Sequence, residues 1–139
     1  MALITALSQV PPLPAGGDRT LPPCPDTPNC VSTETARESQ RVPTVPFTDA
    51  PQAALARAKA ALLAEPRTTV TSERDGYLHA ECTSFVFRFV DDVDIMVDSV
   101  AHVYRLRSAS RVGRGDLGVN RKRIARISAR LAVLPTTSN

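Results

Sequence analysis

Tryptophan is absent from these 139 residues, and two tyrosines with four phenylalanines bring aromatics to only 4%. The core must therefore be built from Val, Leu, Ile and Ala with a few Phe, enough for one small domain with little to spare. No run approaches the roughly 18 apolar residues that span a bilayer. The start Met1-Ala2-Leu3-Ile4-Thr5-Ala6-Leu7 lacks the basic region and the apolar length of a signal peptide. Only two histidines and three cysteines occur, with no CxxC pair, and His79 and His102 are not at ligand spacing, which argues against zinc. Asp91-Asp92-Val93-Asp94 lacks the central glycine and terminal glutamate of an EF-hand loop. There is no Gly-x-Ser-x-Gly elbow. No metal and no cofactor are predicted.

What is present is unevenly charged. Residues 1–100 carry eight cations and thirteen acids, and residues 101–139 carry nine cations and one acid. One half of the fold is thus set to attract the other, or an anionic partner. Cys24 and Cys30 bracket a short loop stiffened by Pro25 and Pro28, compatible with a disulfide and an oxidising compartment. Cys82, in an apolar strand, reads as a buried free thiol. As it stands the chain reads as soluble and cytoplasmic, and extracytoplasmic if its true N-terminus lies further upstream.

Three regions are expected: a flexible proline-rich leader over 1–23, a single α+β domain over 24–134 and a disordered tail over 135–139. Residues 24–47 lack periodicity, and Pro43 and Pro46 favour an extended path across the domain. Asp49 with Gln52 resembles a capping box, Pro51 suits a first turn, and Ala53 to Ala64 is nearly all strong helix former, with Leu55, Ala58 and Leu62 on one face. Thr68 to Glu73, a turn at Arg74-Asp75-Gly76, and the alternating Tyr77 to Thr83 predict a hairpin. A third stretch holds Phe85, Phe87 and Phe89 on one face, then Val93, Ile95 and Val97 beyond a bulge at the acids, and Ala101 to Arg107 follows. The last element is a helix from Asn120 to Leu134, capped by Asn120 and stapled by Val119 and Ile124. Ile124, Ile127 and Leu131 form its buried stripe, beside Arg123, Arg126 and Arg130. The sum is an antiparallel sheet of three to four strands with both helices on one face.

The segment from Arg105 to Arg123 holds seven cations and one acid around a glycine-rich turn. Guanidinium forks and backbone amides at a helix start favour oxyanions. Arg107, Arg111 and Arg121 are therefore the candidate anion holders, with Ser108, Ser110 and Asn120 orienting an anionic small molecule or lipid headgroup. The competing reading pairs these arginines with Asp91, Asp92, Asp94 and Asp116 as a clasp between the final helix and the sheet. A hydrolase or lyase using Asp91 and Asp92 with an arginine is the alternative from another class. On a strand, however, Asp92 and Asp94 face one way and Asp91 the other. His79 and His102 read as surface or edge-strand residues. The basic stretch around Arg121, Lys122, Arg123, Arg126 and Arg130 has no stacking aromatics near it, which disfavours nucleic acid. A binding or structural module without catalysis fits best.

Three motifs together resemble the domain-of-unknown-function family numbered 1499: Cys24-Pro25-Asp26-Thr27-Pro28-Asn29-Cys30-Val31-Ser32, Phe89-Val90-Asp91-Asp92-Val93, and Arg107 to Gly113 continuing through Asp116-Leu117-Gly118-Val119-Asn120-Arg121. The match in order and spacing runs over residues 24–131. It implies uncharacterised bacterial and plastid relatives, many with an export signal or membrane anchor ahead of the cysteine motif. The family pattern often has an aromatic where this chain has Arg114.

Overall fold

The computed structural model describes residues 20–85, 88–112 and 118–132. The expected tail over 135–139 lies outside them, as do Asp116 and Phe87, and so does all of the expected leader except residues 20–23.

Two helices and six strands make an α+β fold. In chain order they are β1 (Cys30–Ser32), β2 (Val45–Pro46), α1 (Pro51–Leu63), β3 (Thr68–Arg74), β4 (Tyr77–Thr83), β5 (Val90–Asp98), β6 (Val103–Ser110) and α2 (Val119–Ala132), with a single 3-10 turn at Glu38–Gln40 between β1 and β2. The sheet is antiparallel throughout, ordered β1-β6-β5-β4-β3, and β2 pairs with β6 beyond β1. Three to four strands is thus too few. The two extra strands are only three and two residues long, too short to show alternation. They exist because β6 offers an open edge: Val31 pairs with Ser108, and Val45 with Tyr104. Pro46 is tolerated because an edge strand leaves one side of its backbone unbonded.

The hairpin from β3 to β4 turns at Asp75 (φ 51) and Gly76 (φ 82), both left-handed as a tight two-residue turn requires. From β4 on, alternation sorts the residues onto two faces. Leu78, Ala80 and Cys82, then Val93, Ile95 and Val97, then Tyr104 and Leu106 pack with α1 and α2 into one core. Ala54, Ala58 and Leu62 of α1 and Ile124, Ile127 and Leu131 of α2 complete it. The small alanines let α1 approach the sheet closely, where Tyr104 donates its hydroxyl to the Ala54 carbonyl at 2.7 Å.

Several local expectations differ from the structure. Ala50, not Asp49, caps α1, because the Asp49 carboxylate is drawn to Arg57 by two hydrogen bonds of 2.7 and 2.9 Å. Ser84, Phe85, Arg88 and Phe89, the described residues before β5, are not strand. Ser84 closes a tight connection by accepting from the Phe89 amide at its hydroxyl and donating its own amide to the Phe89 carbonyl, and Phe85 and Phe89 are exposed. The bulge falls in β3 between Val70 and Ser72, while β5 runs in unbroken register with β4 and β6. Asn120 lies within the first turn of α2, its side chain aimed at β6. Val119 is exposed.

Ile127 is fully buried between α2 and the sheet. Ile127→Ala is expected to cost about 2–5 kcal/mol in urea denaturation, with an unchanged slope.

Candidate functional site

The face of the sheet away from the helices is built from the other half of the alternation. β4 contributes Tyr77, His79 and Glu81, β5 contributes Asp92, Asp94 and Met96, and β6 contributes Arg105 and Arg107, with Arg111 just past its end. Register places His79 opposite Asp94, Glu81 opposite Asp92, and Asp94 opposite Arg107. Cross-strand neighbours on one face are close enough to touch, so these polar side chains must meet.

His79 is 1% exposed, and both of its ring nitrogens are engaged. Nδ1 lies 2.8 Å from an Asp94 oxygen and Nε2 lies 3.0 Å from an Asp92 oxygen. The Tyr77 hydroxyl donates to the same Asp94 oxygen as Nδ1. Arg111 grips Asp92 with Nε and Nη2, each at 2.8 Å, and Nη2 also reaches Glu81 at 2.8 Å. Arg107 stands 3.5 Å from the other Asp94 oxygen and donates to the Pro23 carbonyl at 3.1 Å. Residues 20–23 thereby lie across this face, with Leu21 buried against Tyr77 and Met96. Beside the network, and not within it, a cavity of about 650 Å³ is lined by Leu21, Pro22, Ser32, Glu34 and Arg37. The segment is tied down at Cys24, which is disulfide-bonded to Cys30.

The electrostatics follow from this packing. Burial pulls the His79 pKa down, but hydrogen bonds and charge from Asp92 and Asp94 outweigh it and raise the value to about 9. Burial pushes Asp92 up, yet Arg111 and His79 together bring its carboxyl below the ordinary value. The Tyr77 hydroxyl is raised by burial and by the Asp94 charge beside it, so it remains a donor. His79 is accordingly an imidazolium held between two carboxylates, not a surface or edge-strand histidine. Its signal in the sequence was the register: two polar alternations on neighbouring strands that fall opposite each other.

The helix-side face carries a second polar cluster. Arg123 pairs with Asp91 at 2.8 Å and donates to Ser108 Oγ and Asn120 Oδ1. Ser108 donates to Asn120 at 2.6 Å, and Asn120 Nδ2 donates to Ser110 Oγ and to the Asn29 carbonyl. Arg121 points away from both clusters and donates to the carbonyls of Ser39 and Arg41. Glu65, almost fully buried at the end of α1, is held by Arg126 and Arg130. The six candidate ligand residues are therefore not brought together. The sheet separates Arg107 and Arg111 from Ser108, Ser110 and Asn120, and Arg121 binds the 3-10 turn. Asp91 and Asp92 likewise lie on opposite faces. His79, Glu81 and Asp92 do offer ligand atoms within 4.8 Å of one another. The Arg111 guanidinium, on both carboxylates, already supplies the positive charge there.

His79 binds its proton more tightly folded than unfolded. Its contribution to stability is therefore full below pH 6.5 and is lost as pH rises through about 9. Asp92 acts in the opposite sense, its contribution fading as pH falls below the ordinary carboxylate value of 3.8. NMR titration should find the His79 ring still protonated at pH 8, and denaturation midpoints should fall between pH 6.5 and 9. Titration near 6.5 would contradict this.

No match to the chain was found among curated proteins. The profile of a family described as "Protein of unknown function (DUF1499)" matches residues 20–131, from the segment that crosses the polar face to the last buried turn of α2. That span includes the disulfide, every strand and both polar clusters, and the chain belongs to the DUF1499 family.

Proposed function

We propose that this domain is a non-enzymatic binding or structural module of an oxidising, extracytoplasmic compartment, and that its arginine-rich segment is a clasp, not a ligand site. The observation that carries the reading is the state of His79: fully buried, with each ring nitrogen on a carboxylate. A general acid or base has to reach the proton it moves. An imidazolium walled in by Asp92, Asp94 and Tyr77 instead holds two strands together. Asp91 and Asp92 on opposite faces cannot share a proton, which weighs against the hydrolase or lyase alternative. The Cys24–Cys30 disulfide supports the compartment, because such bonds persist where thiols are not kept reduced.

The clasp is supported by where the arginines end. Arg111 finishes on Asp92 and Glu81, Arg123 on Asp91, and Arg121 on two backbone carbonyls. Each joins the end of β6 or the start of α2 to a different part of the domain. An oxyanion at Arg111 would have to displace the bidentate Asp92 carboxylate or the Glu81 carboxylate, at a cost in desolvated charge.

Arg111→Ala tests this directly. The clasp reading predicts a loss of about 3–5 kcal/mol, since Asp92 would be left with an unmatched share of buried charge. It also predicts no specific thermal shift of the native chain by phosphate or sulfate. A variant of unchanged stability that has lost an anion-induced shift shown by the native chain would replace the clasp with an anion site.

A further inference from the structure

The register puts Thr68, Thr83, Val90 and Ser110 at one end of the sheet, and Arg74, Asp98 and Val103 at the other. Large apolar side chains left exposed are not shared evenly between these ends. Among the described residues they are Leu63, Phe85, Phe89, Val100, Val112 and Val119, and all but Val100 belong to the first end. Leu63 closes α1 shortly before β3, Phe85 and Phe89 lie in the β4–β5 connection, Val112 follows β6, and Val119 opens α2. Phe85 is 75% exposed and Phe89 51%. Three of the four phenylalanines of a chain poor in aromatics fall within Ser84–Phe89 in sequence, and of these Phe85 and Phe89 are exposed.

Two arginines stand among these rings. The Arg67 guanidinium lies 5.4 Å from the centre of the Phe85 ring, and its Nε donates to the Thr83 carbonyl at 2.8 Å. Arg88 is exposed and sits between the phenylalanines in sequence. Neither has a carboxylate partner among the described residues. Both adopt positive φ, 52° for Arg67 and 59° for Arg88, a conformation that non-glycine residues rarely take. Among the described residues, the acids nearest this end are already engaged: Glu65 with Arg126 and Arg130, Asp91 with Arg123, Glu81 with Arg111. The rim is thus apolar at its tips and cationic between them.

We infer that this rim, Phe85 and Phe89 with Arg67 and Arg88, is a docking surface for an anionic lipid bilayer. Phenyl rings at loop tips bury among acyl chains near the headgroups, while guanidinium groups beside them stay at the level of the phosphates. A protein partner would favour a concave or flat apolar patch with matched hydrogen bonds. Here two exposed rings of the β4–β5 connection stand with two arginines that have no carboxylate partner among the described residues, and that pairing of apolar tips with positive charge fits an anionic fluid surface better. The rim lies apart from the His79 network and its inference does not depend on the clasp, so either can fail alone.

Co-sedimentation of the full chain with phosphatidylcholine vesicles, with and without phosphatidylglycerol, tests the assignment. The expected result is binding to phosphatidylglycerol-containing vesicles that weakens as salt rises. Phe85→Ser with Phe89→Ser should lower it about tenfold or more, and Arg88→Glu severalfold, with melting temperatures unchanged because these side chains are exposed. Should the double phenylalanine variant fail to fold, Phe85→Ser with Arg88→Glu makes the same measurement. No binding to phosphatidylglycerol vesicles, or binding that the variants retain, overturns the inference. So does concentration-dependent self-association that Phe85→Ser abolishes without any vesicle binding, which would assign the rim to a second copy of the chain.

Discussion

Asp92 and Asp94 occupy neighbouring outward positions on the central strand β5, on a face of the sheet that water scarcely reaches. A desolvated carboxylate costs several kcal/mol unless positive charge and hydrogen bonds meet it. The surrounding chain is arranged to meet these two: a histidine from β4 between them, a tyrosine hydroxyl on one, and an arginine on each from β6 or just beyond. The arrangement exists in one register only. A shift of β5 by a single residue would turn Asp92 and Asp94 into the apolar core and Val93 and Ile95 out of it. The polar face therefore specifies strand alignment as firmly as the apolar face does, and Arg123 with Asp91 repeats the device on the helix side.

Much of this is legible in the sequence. Alternation in Tyr77 to Thr83 and in Val93 to Val97 assigned residues to the correct faces, including the opposition of Asp91 to Asp92 and Asp94. The stripe Ile124, Ile127 and Leu131 was readable because helical periodicity persists over several turns. The short edge strands were not legible, since two or three residues carry no period and are created by the edge of β6. The burial of His79 is not legible in the sequence, because a lone histidine has no pattern of its own. Its meaning comes from Asp92 and Asp94, which are distant in sequence and adjacent only once β4 and β5 pair. Phe85 and Phe89 show the opposite case: a spacing of two predicts a strand, whereas Ser84 and Phe89 close a connection through two hydrogen bonds.

The disposition of charge joins the polar face to the rim. The basic C-terminal part of the chain, which looked like a site for an external anion, is largely neutralised by the acidic part that precedes it. The exposed cations at the rim, Arg67 and Arg88, come from the part with the acidic surplus. Arginines of the basic part hold carboxylates within the fold, while Arg67 and Arg88, with no carboxylate partner among the described residues, border the apolar tips. The disulfide supports the polar face as well, because Cys24 fixes the end of the segment whose Leu21 and Pro23 lie over Tyr77 and Arg107.

Whether the buried network is one interacting unit is measured directly by a double-mutant cycle between Arg111 and Asp92. Arg111→Met and Asp92→Asn should each destabilise the domain, while the double variant should lose far less than the two together, with a coupling on the order of 2 kcal/mol. Additivity within about 0.5 kcal/mol would mean the two side chains act independently, and the account of the polar face as the constraint that sets strand register would be wrong.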